Sequence, residues 1–184
     1  MDLFDKSAKA YRSLYDEAHD KNKRREASEG YVEATALTED SAAIKSMYAD
    51  IASMTDATEW ARRYAQLVMA DVLRKEGSSE AIDLYAALAD DPSTEEGAEA
   101  YYRVVEARYN AGDYDGAQKM VFDMAECGSP YWHAKIFILL GDTFAKIDNT
   151  FQARATYQSI VDGYSPKDDG IVAEAKERIS KLPK

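Results

Sequence analysis

An all-α fold built as a stacked solenoid of antiparallel helix hairpins is predicted from three observations. Apolar residues recur at three- and four-residue spacing along nearly the whole chain, the periodicity of a helix with one buried face. Sustained period-two alternation bounded by turn residues, the mark of a half-buried strand, is absent. The helical segments also repeat at a nearly constant interval, and a fixed period of this size marks units that bury their faces only against their neighbours.

Ten helices follow, at about 2–19, 22–37, 41–54, 57–76, 79–90, 95–111, 114–127, 130–147, 151–163 and 169–182. The first carries a broad apolar face of Leu3, Phe4, Ala8, Tyr11, Leu14, Tyr15 and Ala18. The fourth and sixth start at Asp56 with Glu59 and at Ser93 with Glu96, the spacing of a capping box. Ser129-Pro130 opens the eighth, with a cap followed by a proline at the first helical position, where its missing N–H costs nothing. Gly77, Gly112 and Gly128 follow helical runs, where a left-handed residue can close a helix. The tenth has Val172, Ala175, Ile179 and Leu182 on one side, and Glu174 with Arg178 and Glu177 with Lys181 on the other. This amphipathic pattern suits a solubilising C-terminal cap with a polar outer face.

The repeat is read from aligned columns. Ser7, Ala43, Ala81, Ala117 and Ala153 form a column of small residues at separations of 36, 38, 36 and 36. Four residues beyond each lie Tyr11, Met47, Tyr85, Val121 and Tyr157, and twelve before the last four lie Tyr31, Met69, Val105 and Gly141. Where antiparallel helices approach most closely, a small side chain on one admits a large one from the other.

Phe137, Leu140-Gly141, Phe144, Ala153 and Tyr157, preceded by Tyr101, Val104, Gly112-Asp113-Tyr114 and Ala117, resemble the tetratricopeptide repeat. The resemblance covers nearly the whole chain and implies a right-handed α-solenoid. It divides residues 1–184, read as one domain, into a half repeat at 2–19, hairpins at 22–54, 57–90, 95–127 and 130–163, and the capping helix at 169–182. Tyr31, Met69 and Val105 depart from the family's small residue in the first helix, and the period exceeds the usual length by about two residues. Tyr164-Ser165-Pro166 is similar to the turn that ends the longer repeats of bacterial envelope-associated repeat proteins.

Composition narrows the function. The formal net charge of -11 argues against a nucleic-acid binder, which needs a basic face to release counterions, and favours basic partners. One cysteine, Cys127, gives no intrachain disulfide and no cysteine-rich zinc site. The longest apolar run, Ile136 to Leu140, is too short to insert in a membrane. Met1-Asp2-Leu3-Phe4-Asp5 has neither the basic nor the apolar region of a signal peptide, so the chain as written reads as cytoplasmic. An envelope or periplasmic location would require the removal of an upstream signal.

Catalysis has little to recommend it in the sequence. His19 and His133 fall in no recognised catalytic motif, and a Cys127/His133 nucleophile-base pair is weighed against a thiol that merely fills a helix end. Asp90-Asp91 and Asp168-Asp169 sit at helix ends, and capping is the reading given to the second pair. Lys21, Lys23, Arg24 and Arg25 form a basic cluster that reads as a solvated helix start. No metal or cofactor is expected.

A protein or peptide partner is expected instead, and the alternative is a structural segment without its own ligand. In the tetratricopeptide family, fixed positions of each first helix face a concave groove. The resemblance carries those positions onto Arg63, Gln66 and Arg74, then Glu99, Tyr102, Glu106, Tyr109 and Asn110, then Lys135, Asp142 and Lys146. Tyr102, Glu106 and Tyr109 share one helical face that could anchor a partner segment, or else pack on adjacent repeats. At the other end, Leu3, Phe4, Tyr11 and Tyr15 are expected to meet upstream repeats or a second copy of the chain.

Overall fold

The computed structural model describes residues 2–124, 126–166 and 169–183. Among these the chain is all-helical, with ten helices and no strand: α1 Asp2–Glu17, α2 Lys21–Ala36, α3 Ser41–Ser53, α4 Glu59–Lys75, α5 Glu80–Ala89, α6 Glu95–Asn110, α7 Tyr114–Asp123, α8 Pro130–Lys146, α9 Thr150–Gly163 and α10 Ile171–Lys181. The residues divide into two compact units, Met1–Leu84 and Tyr85–Lys184, with the division inside α5.

Side-chain capping fixes most helix starts. Asp20, Asp40 and Asp113 each accept a hydrogen bond from a first-turn amide, and Ser129 does so before Pro130, as the sequence predicts. Two predicted caps move. Thr58 rather than Asp56 accepts from the Ala61 N–H, and Thr94 rather than Ser93 accepts from the Gly97 N–H. Asp56 instead pairs with Arg24 at 3.1 Å, and the Ser93 hydroxyl donates to Asp91. Gly77 and Gly112 close their helices in the left-handed region, as expected. Gly128 does not. α7 has already ended at Asp123, and a methyl group on Gly128 would overlap the Ser93 carbonyl. Its amide donates to Pro92 at 2.9 Å, so close backbone approach is what requires the glycine.

In the first unit α2 is central, packed against α1, α3 and α4, while α3 also lies along α4. Val32, Met47, Ile51 and Ala65 are core residues here. Each large apolar side chain fully buried contributes about 1.5–3 kcal/mol. Buried polar groups are satisfied locally: the Thr35 hydroxyl donates back to Tyr31 O at 2.7 Å, and Ser28 Oγ accepts from the Thr58 N–H at 3.3 Å. Arg62 donates to the Ile51 and Met54 carbonyls, closing the C-terminal end of α3.

In the second unit α8 is central, with α6, α7, α9 and α10 around it. Ile136, Leu140, Phe144, Ala153, Tyr157 and Ile171 fill the interior. The small-residue column behaves as the spacing predicts at Ala81, Ala117 and Ala153, all buried. Its members Ser7 and Ala43 are only half-buried. α10 lays Ala175 into the core, as its apolar side predicts, but the second core residue is Ile171, and Val172, Ile179 and Leu182 are only half-buried. Its polar side is not uniformly outward. Glu177 and Lys181 pair in solvent, but Glu174 and Arg178 turn inward toward α8.

Tyr15 also departs from the sequence reading. It is buried rather than part of an outer stripe, and its hydroxyl accepts from the Asp56 N–H at 3.0 Å. The reason is that α1 lies along α2, so the edge carrying Ala8 and Tyr15 becomes core, while Leu3, Phe4, Tyr11 and Leu14 stay exposed.

Candidate functional site

The groove positions inferred from the resemblance fall in both units. In the first, Gln66 donates from Nε2 to Leu84 O at 2.8 Å, Arg74 lies 3.4 Å from Asp71, and Arg63 is half-buried. Gln66 borders a shallow cavity of about 220 Å³ with Tyr48, Ile51, Ala52 and Arg62.

The second unit draws most of the others together. On α6, Tyr102 donates to Glu106 at 2.9 Å, and Arg103 bridges Glu99 at 3.1 Å and Glu106 at 3.5 Å. The Tyr102 ring lies 5.4 Å from Trp132 at the start of α8, and the Arg103 guanidinium sits 5.4 Å and 5.5 Å from the two ring centres. A cation held against two ring faces gains from their negative quadrupole. One turn along α8, Lys135 approaches the Tyr102 ring at 6.0 Å and pairs with Glu174 of α10 at 2.9 Å. Two turns further, Asp142 accepts from the Tyr157 hydroxyl at 2.6 Å and from Arg178 of α10 at 2.8 Å.

A continuous ribbon of paired charges and aromatic rings therefore crosses α6, α8 and α10. Tyr109 lies at its edge, half-buried against Tyr114 at 5.7 Å. Asn110 and Lys146 are exposed at the ends of α6 and α8. Burial, and then the neighbouring carboxylates, push the Tyr102 and Tyr157 phenols above their ordinary pKa, so both keep their protons as hydrogen-bond donors. Burial and Asp142 act on Tyr109 in the same direction.

Trp132 is the member that sequence reasoning missed. It lies just ahead of the inferred groove positions, and the aromatic pair Tyr131-Trp132 after Pro130 was the available signal. Arg178 and Glu174, expected on an outer face, instead complete the ribbon.

The other candidates have structural settings. The Cys127 thiol donates to Ser129 O at 3.4 Å, and burial pushes its pKa up, away from the thiolate that nucleophilic attack needs. The His133 ring lies tilted against Phe137 at 4.6 Å, and partial burial of the ring pushes its pKa down. In the basic cluster, Arg24 donates to Ala18 O at 2.7 Å and pairs with Asp56. Asp169 accepts from the Ile171 N–H at 3.1 Å at the start of α10, while Asp168 lies outside the described residues. Among the described residues no cluster of His, Cys, Asp and Glu could hold a metal ion, and no helix is long and apolar enough to cross a membrane. Comparison with protein-family models, curated proteins and solved structures gives no significant match.

Proposed function

We propose that the chain is a tetratricopeptide-like, right-handed helical solenoid whose second unit binds a protein or peptide segment across α6, α8 and α10. The observation that carries this reading is the ribbon from Glu99 to Arg178, in which side chains of three helices form one face of aromatic rings and paired charges. Rings in a polar frame supply rigid contact area, the usual composition of interaction hot spots. The packing of α8 against α6 and α10 supports the solenoid reading, because first helices of successive hairpins stand side by side in such an array.

The charges of this face nearly balance, Glu99, Glu106, Asp142 and Glu174 against Arg103, Lys135 and Arg178, with Lys146 exposed at the end of α8. The excess of acid elsewhere steers basic partners toward the molecule, whereas the face selects a segment carrying both signs. A second reading is favoured by the same pairing. Because these groups already satisfy one another, the face could serve only to hold α10 in place, and the unit would be an assembly segment without a ligand.

Selection from a displayed peptide library separates the two. The binding reading expects enriched peptides that combine an aromatic or aliphatic anchor with acidic and basic residues, and expects Tyr109→Ala with Glu106→Gln to weaken them at least tenfold while helical content is retained. A library from which nothing is enriched on the ribbon, or peptides indifferent to these substitutions, would leave the assembly reading.

A further inference from the structure

The exposed face of α1 is complementary to itself. Leu3, Ser7, Ala10 and Leu14 follow one another at spacings of four, three and four residues, the alternation that keeps a seam facing a partner helix. Leu3 is 72% and Leu14 44% exposed, and Ser7 and Ala10 between them are half-buried and exposed. Read in either direction, the seam is large, small, small, large. If a second α1 is laid antiparallel, Leu3 meets Leu14 of the other copy and Ser7 meets Ala10, so the two backbones can approach closely at the centre.

The flanks agree with the same register. On one edge, Phe4, 38% exposed, lies toward Tyr11 of the other copy, whose ring packs on Gly30 of α2 and offers only its outer side, the residue being 39% exposed. On the other edge, Lys6 faces Ser13, whose hydroxyl donates to Glu17 at 2.7 Å. Helical side chains lean toward their own N-terminus, so in an antiparallel pair Lys6 leans toward the Glu17 carboxylate of the other copy. In a parallel pair Lys6 would instead face the flank that carries Phe4 and Tyr11, which offers it no carboxylate. Shape allows a second copy of this helix and charge specifies the antiparallel orientation, an isologous contact in which every pairing occurs twice.

We propose that α1 is the dimerisation surface of this protein, paired antiparallel with α1 of a second copy so that Leu3 lies on Leu14 across the two-fold axis. This inference concerns the first unit and does not depend on ligand binding by the second.

Sedimentation equilibrium of the full chain and of three variants tests it. The wild type is expected to be a dimer at micromolar concentration, and Leu3→Glu and Leu14→Lys each to be monomeric with unchanged helical circular dichroism. Combining the two substitutions sets the new carboxylate of one copy against the new ammonium of the other, twice, and is expected to restore the dimer at low salt. A monomeric wild type, a dimer that survives either single substitution, or a double variant that stays monomeric would each overturn the proposal. In the first case the face is left to a different chain segment.

Discussion

The ring of Tyr157 lies directly on Gly141, so that a methyl group on the glycine would overlap it. The contact joins α8 to α9 at the column where sequence places a small residue against a large one, and both residues are buried. Tyr11 on Gly30 repeats the arrangement between α1 and α2. A helical glycine normally costs about 1 kcal/mol relative to alanine, but overpacking a core costs about 1–3 kcal/mol. At Gly141 overlap is the larger effect.

Gly141→Ala is therefore expected to destabilise the second unit by up to about 2 kcal/mol, the overpacking cost less the regained helix propensity. Gly163, at the end of α9 with open space around it, is the control, and Gly163→Ala is expected to be neutral or slightly stabilising. Thermal melts of the two variants on the same full chain give the comparison. Equal effects would mean that the ring and the glycine are not in contact.

The clamp that holds α10 predicts a coupled loss. Asp142 accepts from both Tyr157 and Arg178, so Asp142→Ala strands two donors, whereas Arg178→Ala removes only one partner. The first is expected to cost about 1–3 kcal/mol and the second less, with a double variant less damaging than the sum. Removing α10 entirely would uncover the apolar surface that Ile171 and Ala175 occupy, and self-association in light scattering is the expected result. Strict additivity in urea titrations would separate Arg178 from this network.

Alkaline pH provides an independent test. Burial, followed by the interactions with Asp50, Glu106 and Asp142, raises the phenol pKa of Tyr31, Tyr102 and Tyr157. In the unfolded chain these phenols ionise at roughly pH 10, while the folded chain keeps their protons. Their contribution to stability is complete below that pH and is lost progressively above it. Urea midpoints should fall between about pH 9.5 and 11, and Tyr157→Phe should make the fall shallower. An unchanged slope in that variant would contradict the assignment of Tyr157 as a protected donor.

The helices and several of their ends were legible because periodicity, Ser129-Pro130 and the glycines at 77 and 112 act locally. The shifted caps show the limit of local reading. Asp56 and Thr58, or Ser93 and Thr94, are competent caps standing within two residues of each other, and only tertiary contacts such as Arg24 on Asp56 decide between them. The ribbon was half legible: Tyr102, Glu106, Lys135 and Asp142 follow from register, but Lys135 meets Glu174 across 39 residues, a pairing that no spacing rule contains. Tyr15 was misplaced because a wide apolar face does not reveal which edge its neighbour will cover.

Hydrogen exchange of the full chain with and without a library-selected peptide is the sharpest test of the binding reading. Added protection is expected at α6, α8 and α10, greatest around Tyr102, Trp132 and Asp142, and it should be lost when Tyr109→Ala and Glu106→Gln are introduced. Protection confined to α7 and α9, or to the first unit, would contradict that reading.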